Sequence, residues 1–400
     1  MRIFQLNTFC GVKSTGRIAC EIAKLVLEDG GECLIGYGVP GISNDSEPFA
    51  YKIGNAFERK IHAVIRKLFD AEGYGSWFAT QKLIRKMKTF QPDLIHLHNL
   101  HGCYLHLPSL FRYFQKAAIP IVWTLHDCWP FTGHCAYFDY SGCERWKKEC
   151  HHCPQQKNYP VCIGIDGSIR NHRMKKRFFS LPLQMTFAVP CEWMTGQLGA
   201  SFLSCYPSSV IVNGVNLNTF HPISNNLRER YHLNDAKVCL SVASEWDHRK
   251  GLSYLCEAAQ KMGENYRFVV IGLTDEQIAA LPSGMIGIKN TTNVRELAEW
   301  YTTADCLVNP TLEDNMPMVN LEALACGTPV VVFETGGCPE AINEKCGIVV
   351  PKGDLTALCD AICRAVSGFY HSEDCISRAK EFDCAQTFQR YLALYKELVE

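Results

Sequence analysis

The stretch from Asn309 to Val332, NPTLEDNMPMVNLEALACGTPVVV, restricts the possible folds more than any other part of the chain. It predicts the end of a strand, an acidic loop, a short apolar helix, a glycine stop and a buried strand. Pro317 suits the first helical turn, where its missing N–H costs nothing, and Gly327 suits the position just past the helix end. The run TPVVV is typical of strands buried in a parallel sheet. The stretch therefore predicts a strand–helix–strand unit of an α/β protein.

One residue of this stretch, Glu322, does not fit a purely structural interpretation. It lies among the apolar residues of the predicted helix, and charged groups are rarely buried without a partner. A second acid, Asp314, lies near the start of the same helix. A helix N-terminus offers unpaired backbone N–H groups to a polar or anionic ligand. The two acids therefore indicate a polar ligand held at this helix.

Short β-rich runs alternate with helical patterns along the whole chain, which favours a parallel α/β architecture. The predicted strands are RIFQLN, ECLIGYG, DLIHLHN, PIVWTLH and QMTFAVP in the first half, and VCLSVAS, RFVVIG, ADCLVNP, TPVVVF and GIVVP in the second. The chain has 400 residues, more than a typical single core contains. We therefore expect two domains, with a ligand in the cleft between them at the carboxyl ends of the strands.

A turn-rich passage, SSVIVNGVNLNTFHP, suits the join between the two domains. The tail has apolar residues at helical spacing and predicts a terminal amphipathic helix. Its apolar positions are Phe388, Leu392, Tyr395 and Leu398. The predicted divisions are an N-terminal domain (1–207), a C-terminal domain (208–375) and a helical tail (376–400).

Charge and hydropathy exclude several classes of protein. The formal net charge is −1, so nothing indicates nucleic-acid binding. No apolar run has the length needed to span a membrane, and the start MRIFQLNTFCG lacks the features of a signal peptide. We therefore expect a cytoplasmic protein whose 22 cysteines are mostly reduced. Cysteines in apolar segments, such as Cys239, Cys306 and Cys326, are expected to be small core residues.

Several polar residues lie where predicted strands end. Gly16 belongs to CGVKSTGRIA, a strand–helix turn that could meet an anion or a sugar, or could be an ordinary turn. His96 and His98 share one face of a strand, with His101 just beyond it. A polar cleft wall or satisfied histidines are favoured over a metal site. His126 and Asp127 end the next predicted strand. A His–Asp pair at such an end would face the cleft, and the alternative is a histidine that fixes a loop.

Two further segments carry charge or metal-binding potential. Arg249 and Lys250 follow a strand and precede a helix, which suits a pyrophosphate but also a solvated charge pair. The basic segment 170–179, RNHRMKKRFF, could touch an anionic membrane surface, although a solvated helix face is the simpler interpretation. Four thiols within a short segment suggest a structural zinc site, with isolated thiols as the alternative. They are Cys135, Cys143, Cys150 and Cys153.

Together these segments resemble the retaining GT-B glycosyltransferases of family four. The likeness is greatest to bacterial enzymes of capsule, exopolysaccharide and O-antigen assembly, including colanic-acid-type transferases. IVNGVNLNTFHP, with Asn216 where the family usually has Asp, is similar to one family segment, and WTLHDCWPFTGHC is similar to the one bearing an active-site histidine. The paired acids of NPTLEDNMPMVNLEALACGTPVV form its most specific motif. ETGGCPE, with Gly336, Gly337 and Glu340, resembles the loop that follows.

The resemblance implies two Rossmann-like domains facing across a cleft, with the C-terminal helix packing back on the N-terminal domain. It implies a nucleotide sugar (UDP- or GDP-) bound by the C-terminal domain, and a glycan or lipid-linked glycan acceptor bound by the N-terminal domain. No cofactor or metal is implied for catalysis. The acceptor suggests a peripheral contact with the inner membrane.

The resemblance also implies roles for individual residues. Asp314 would reach hydroxyls of the donor sugar, and His126 would sit beside that sugar. Arg249 and Lys250 would neutralise the departing diphosphate. The donor-binding residues are Gly16, which lines the loop near the diphosphate, Asn315, Met316 and Glu322, whose carboxylate would bind the ribose.

The chain departs from the family pattern at three positions. The first acid of the pair is Asp314 rather than Glu, and Glu313 is one residue out of register. Pro317 stands where the family often has Gly, which removes one backbone donor. Glu245 stands where an Arg is frequent, and we hypothesise that Arg249 supplies the missing charge.

Three other functions compete with sugar transfer. A nucleotide-sugar epimerase shares the architecture but would act without an acceptor and would not need the acidic helix motif in this form. A catalytically silent binding module is disfavoured by Asp314, Glu322, Lys250 and His126 occurring together. Hydride transfer is disfavoured because no strand is followed by G-x-G-x-x-G with a later acid.

Overall fold

The computed structural model describes residues 1–233, 235–289, 291 and 293–400. These residues divide into two compact units. The first unit is Met1–Ile211 together with Phe388–Glu400, and the second is Val212–Thr387.

The first unit is built on one parallel sheet of seven strands in the order β3-β2-β1-β4-β5-β6-β7. The strands are β1 (Arg2–Asn7), β2 (Glu32–Tyr37), β3 (Ala50–Lys52), β4 (Leu94–Leu97), β5 (Ile121–Thr124), β6 (Met185–Val189) and β7 (Ser208–Val210). Helices connect them: α1 (Lys13–Glu28), α2 (Ala56–Phe69), α3 (Trp77–Phe90), α4 (Leu107–Ala117), α5 (Ser168–Phe179) and α6 (Glu192–Gly199). The central strands are completely buried, as expected for a parallel sheet covered on both faces.

The second unit is built on a parallel sheet of six strands in the order β10-β9-β8-β11-β12-β13. The strands are β8 (Lys237–Val242), β9 (Tyr266–Leu273), β10 (Ile286–Lys289), β11 (Cys306–Asn309), β12 (Val330–Phe333) and β13 (Gly347–Val350). Its helices are α7 (Leu227–Arg230), α8 (Leu252–Met262), α9 (Asp275–Ala279), α10 (Val294–Thr303), α11 (Met318–Ala325), α12 (Leu355–Ala365), α13 (Ser372–Lys380) and α14 (Cys384–Thr387). The last helix of the chain, α15 (Gln389–Val399), belongs to the first unit.

The ten predicted strands are all present. The three strands that the sequence did not predict are β3, β7 and β10, and each lies at the edge of its sheet. They are short, and most of their residues are partly or fully exposed. Such strands lack the continuous β-branched runs that buried parallel strands show.

Both boundaries between the units lie later in the chain than the sequence predicted. The first follows Ile211, because β7 pairs with β6 and so completes the first sheet. The second comes at Phe388, because helices α13 and α14 belong to the second unit, and Arg378 of α13 donates to the backbone oxygens of Glu340 and Ala341.

The predicted terminal helix is confirmed, and it packs on the N-terminal unit. Phe388, Leu392 and Tyr395 are buried. The Tyr395 hydroxyl lies 2.6 Å from Nδ1 of His96 in β4, and Lys396 pairs with Asp29 at the end of α1. Within the described residues, no helix combines the length and apolar character needed to cross a membrane.

Candidate active site

The loop after β8 is the first element of the site in the second unit. The Asp247 side chain accepts from the backbone N–H of Lys250 and so closes a tight turn. Gly251 has φ +77°, and a Cβ there would lie 2.1 Å from the Pro310 carbonyl oxygen. Only glycine therefore lets this loop lie against the chain that leaves β11. A backbone hydrogen bond from Leu312 to the Arg249 oxygen holds the two segments together.

This arrangement brings two cations to one carboxylate. Lys250 Nζ donates to Asp314 Oδ2 at 2.5 Å, and Arg249 Nη1 lies 3.9 Å from the same oxygen. Burial alone would raise the pKa of Asp314, but Lys250 and Arg249 outweigh burial and hold that pKa below its usual range. Arg249 also donates to the backbone oxygen of Glu313 at 2.7 Å, which fixes the guanidinium in place.

The glycine loop after β12 closes on the same acid. Gly336 has φ +53°, and a Cβ there would lie 1.8 Å from the Asp314 carbonyl oxygen. The backbone N–H of Gly337 donates to that oxygen at 3.2 Å, and the Thr335 hydroxyl donates to the Leu312 oxygen. The ETGG segment therefore fixes the backbone of the acidic loop.

The two neighbouring acids of this loop have different environments. The Glu313 residue is completely buried, whereas 18% of the Asp314 side chain is exposed. Asp314 is thus the acid of the pair that presents its carboxylate to the two cations and to solvent.

Helix α11 begins at Met318, one residue later than predicted, because Pro317 takes the position before the helix with an extended backbone. Gly327 stops the helix with φ +82°, as predicted. The Glu322 carboxylate is half-buried and accepts from the hydroxyl of Tyr301 in α10 at 2.8 Å. Asn213 donates to the Met316 backbone oxygen and so ties the NGVN segment to the acidic loop.

In the first unit, His126 lies just past the carboxyl end of β5, where the sequence predicted it. Its Nε2 lies 3.0 Å from Nδ1 of His98, and the two rings are stacked. His98 Nε2 lies 2.8 Å from Oε1 of Gln5, whose amide nitrogen donates to the Ala19 backbone oxygen. Burial lowers the pKa of His126 to about 4 and the pKa of His98 well below its usual value, so both rings are neutral at pH 7.

These contacts determine the tautomers of both histidines. A carbonyl oxygen can only accept, so the amide nitrogen of Gln5 faces Ala19 and its oxygen faces His98. His98 must then carry its proton on Nε2 and accept through Nδ1. His126 consequently donates from Nε2, and its Nδ1 is the acceptor nitrogen.

The other histidines predicted near this edge are also hydrogen-bonded. His96 lies between Tyr395 and the Thr124 hydroxyl. Asp127 pairs with His101 at 2.8 Å. These contacts agree with the interpretation of satisfied histidines in a polar wall.

Gly16 lies in the first turn of α1, so the helix begins earlier than the predicted turn suggested. A Cβ at Gly16 would lie 3.1 Å from Cβ of Phe9, and the Gly16 backbone oxygen accepts from Gly11. The position therefore allows the loop after β1 to fold closely over the helix start.

Comparison with known families matches both units. Residues 236–367 match a model described as glycosyl transferases group 1, and residues 39–155 match a model described as glycosyltransferase family 4. The chain is a family-four glycosyltransferase. The matched ranges include Arg249, Lys250, Asp314 and Glu322 in the second unit, and His126 in the first.

The relatives of this glycosyltransferase agree with that assignment. An Escherichia coli K12 protein, named as a glycosyl transferase of colanic acid biosynthesis, is 24% identical over the whole of both chains. The sucrose-phosphate synthase of Thermosynechococcus elongatus has a TM-score of 0.73 at 15% identity, covering 99% of this chain and 98% of that one. An Anabaena protein solved with UDP-glucose has a TM-score of 0.66 at 14% identity, covering 99% and 100%. These structures share the GT-B fold.

The four cysteines of the predicted zinc site lie in different local environments. A hydrogen bond from Cys135 lowers the pKa of Cys153 to about 7, and Cys150 instead accepts from the Gly133 backbone. Among the described residues, the one group of three side chains close enough to share an ion lies elsewhere, and its members are His62, Glu72 and Cys103. The zinc site stays a prediction. Less than about half an equivalent of zinc in the purified transferase would refute it.

Three residues of the glycosyltransferase that support the site were not predicted from its sequence. Gln5 sets the tautomer of His98, Tyr301 holds Glu322, and Asn213 holds the loop before α11. Asn213 belongs to a quoted family segment, so a signal was present there. Gln5 and Tyr301 lie inside an ordinary strand and an ordinary helix, where nothing in the sequence distinguishes them.

Proposed function

We propose that this glycosyltransferase moves a sugar from a UDP- or GDP-sugar to a glycan or lipid-linked glycan, with retention of anomeric configuration, in the assembly of a bacterial surface polysaccharide. The full-length likeness to the E. coli protein of colanic acid biosynthesis supports the pathway class. The Anabaena structure with UDP-glucose supports a nucleotide-sugar donor. The reaction would take place in the cytoplasm, where such donors are made.

The observation that carries the proposal is the pairing of Lys250 and Arg249 with Asp314. A departing nucleoside diphosphate accumulates negative charge, and preorganised cations are an effective way to stabilise it. Arg249 is held by the Glu313 backbone oxygen, and Lys250 is held by the Asp314 carboxylate. Both cations are thus in position before a donor binds, and the Asp314 carboxylate balances part of their charge in the donor-free protein.

The donor would lie along α11 and the loop before it. The Asp314 carboxylate accepts hydrogen bonds only, which suits hydroxyls of the transferred sugar. The Glu322 carboxylate would accept from the ribose hydroxyls, with Tyr301 holding it in place. Asn315 and Met316 form the backbone between the two acids and would line the donor.

For two residues of the first unit we propose contacts with the donor. His126 is neutral at pH 7 and would sit beside the donor sugar at the reaction centre. Gly16 would let the loop after β1 approach the diphosphate, because a side chain there would press on Phe9.

A thermal-shift panel of UDP-, GDP- and ADP-sugars tests the donor. A ligand at a hundred times its dissociation constant should add about 2.7 kcal/mol to the free energy of unfolding. We expect one UDP- or GDP-sugar to raise the melting temperature and to be consumed only when an acceptor is present. A sugar that changes configuration without an acceptor would instead indicate an epimerase.

Two substitutions separate donor binding from turnover. Glu322→Ala should weaken binding of the free nucleotide, and an unaltered dissociation constant would remove Glu322 from the site. His126→Ala should lower turnover more than donor affinity, and a wild-type rate would exclude His126. Arg249→Ala should weaken donor binding if Arg249 supplies the charge that is absent at Glu245.

A further inference from the structure

Three side chains that can bind a metal meet on the inner side of helix α2. They are His62 in α2, Glu72 in the loop after it, and Cys103 in the loop after β4. One ligand atom of each lies within 4.8 Å of the ligand atoms of the other two, and all three residues are buried. We call these three residues the buried triad. An imidazole, a carboxylate and a thiol are the kinds of side chain that bind zinc in proteins.

His62 is held in place from both ring nitrogens. The side of α2 that packs on the first unit is polar, and His62 is its one completely buried residue. Its Nδ1 lies 2.9 Å from the Ser76 hydroxyl, which donates to the Cys103 backbone oxygen. Its Nε2 accepts from the Gly75 backbone N–H at 3.2 Å. A metal bound through Nε2 would replace the longer of these contacts and keep the one with Ser76, as zinc-bound histidines keep a hydrogen bond on their second nitrogen.

The two carboxylate oxygens of Glu72 have different partners. Oε1 accepts the backbone N–H groups of Gly102 and Cys103, at 3.2 and 2.9 Å. Oε2 accepts the thiol proton of Cys103, with the sulfur 3.4 Å away. The backbone bonds therefore orient the carboxylate through Oε1 while Oε2 faces the sulfur, and carboxylates that bind metals are supported by hydrogen bonds in the same way.

The separation of Oε2 and the Cys103 sulfur fits two ligands of one zinc ion. Zinc lies about 2.3 Å from a thiolate sulfur and about 2.1 Å from a carboxylate oxygen, so a tetrahedral ion places these two atoms roughly 3.5 Å apart. The observed distance is 3.4 Å. The thiol proton that now joins the two atoms thus lies where a metal ion would join them.

Charge balance in the buried triad is also suitable. Burial and the neighbouring Glu72 raise the pKa of the Cys103 thiol, so the metal-free protein carries it protonated. When Zn²⁺ binds, the Zn–S bond forms as the S–H bond breaks, and the proton leaves to solvent. The thiolate and the carboxylate then balance the two charges of the ion, which a buried site requires.

The backbone of the buried triad is strained at its cysteine. Cys103 has φ +61°, and Ser76, which bonds to its backbone oxygen, has φ +54°. Residues with a Cβ rarely adopt this conformation. They keep it where the surrounding structure holds them, and such positions cluster at sites that bind ligands.

We propose that the buried triad binds one zinc ion, which fastens α2 and the loop after it to the loop after β4. That second loop also carries His98, which contacts His126, and His101, which pairs with Asp127. The ion would be structural, and no step of sugar transfer passes through it. The proposal is therefore independent of the proposed function.

Metal binding by the chelator-treated full-length chain tests the proposal, with zinc and cobalt as the probes. Glu72→Gln keeps the shape of the side chain but removes its charge, and it should weaken zinc binding at least about tenfold. Cobalt in the wild type should give a thiolate charge-transfer absorption that disappears in Cys103→Ser. Cys375→Ser is the matched control, because Cys375 is also buried but lies in the second unit.

A double variant, Cys143→Ser with Cys153→Ser, separates the buried triad from the four-cysteine segment. The triad should keep its equivalent of zinc in this variant, and zinc should raise the melting temperature of the wild type more than that of Glu72→Gln. Loss of all bound zinc in the double variant alone would overturn the proposal. So would wild-type zinc affinity in Glu72→Gln, which decides the question even if Cys103→Ser does not fold.

Discussion

Replacing Gly336 by alanine should damage the site through the backbone of Asp314. Gly336 has φ +53°, and an added Cβ would lie 1.8 Å from the Asp314 carbonyl oxygen. Gly368 provides a matched control in the same unit, because it has φ +86° and nothing within 4 Å of the position of a Cβ. Both substitutions strain the backbone in the same way, but only Gly336→Ala also creates a collision.

The two effects can be estimated separately. An alanine in the left-handed region costs about 1–2 kcal/mol, and both variants carry that cost. In Gly336→Ala the Asp314 carbonyl must also move by roughly 1.5–2 Å to restore ordinary contact. That movement would break the hydrogen bond from Gly337, which adds about 1 kcal/mol to the loss of stability. The excess should appear as a melting temperature about 2–4 °C below that of the control.

The displaced carbonyl should also affect catalysis. A misplacement of roughly 1 Å in a positioned group can lower a rate by about 100-fold. We therefore expect kcat/KM for the best donor to fall by about two orders of magnitude in Gly336→Ala, and to change little in Gly368→Ala. Thermal unfolding and initial-rate assays on both variants measure the two quantities. Equal melting temperatures and equal rates in the two variants would refute the reasoning.

Further predictions concern the acid pair and the histidines. Neighbouring cations depress the pKa of Asp314 in the folded protein. The ionised carboxylate therefore contributes fully to the free energy of unfolding above the unfolded-state pKa of about 3.9, and this contribution is lost as the pH falls through the folded-state pKa. Asp314→Asn should therefore lower the free energy of unfolding in urea by about 1–3 kcal/mol at neutral pH. The difference between variant and wild type should shrink in acid, and a difference that does not change with pH would contradict this. Nitrogen-15 NMR should find the His126 proton on Nε2 in the wild type and a tautomer mixture in Gln5→Leu, whereas an unchanged spectrum would show that Gln5 does not set the tautomer. Tyr301→Phe should weaken nucleotide binding about 3–10-fold by releasing Glu322, and calorimetry giving the wild-type dissociation constant would rule out that support.

The sequence predicted most of the fold because the buried strands carry continuous apolar runs. It could not predict the orientation of α2, since an amphipathic pattern does not say which face the core will take. Here His62 and Glu58 have specific partners in Ser76 and Ala79, and those bonds select the polar face. The short edge strand β3 was missed for a related reason, because it has little buried surface.

Prediction of the candidate site from the sequence was limited in the same way. Its charged residues were predicted because a carboxylate in an apolar helix and two cations after a strand are unusual in themselves. Their partners are ordinary residues brought close only by folding. Asp127 was expected beside His126, yet it bonds to His101 on the loop after the neighbouring strand. Contacts of this kind depend on how strands are ordered in the sheet, which local pattern does not determine.

Helix α15 has a consequence for how the protein is made. Its Tyr391 and Tyr395 hydroxyls bond to Thr124 and His96 in the first unit, but residues 212–387 are synthesised in between. At about 5–20 residues per second, a ribosome needs roughly 10–40 s to make that stretch. During this interval the first unit has been synthesised but its covering helix has not. A chain that terminates early would leave those buried polar groups and the apolar surface beneath α15 uncovered, so truncated products should be substrates for chaperones and proteases.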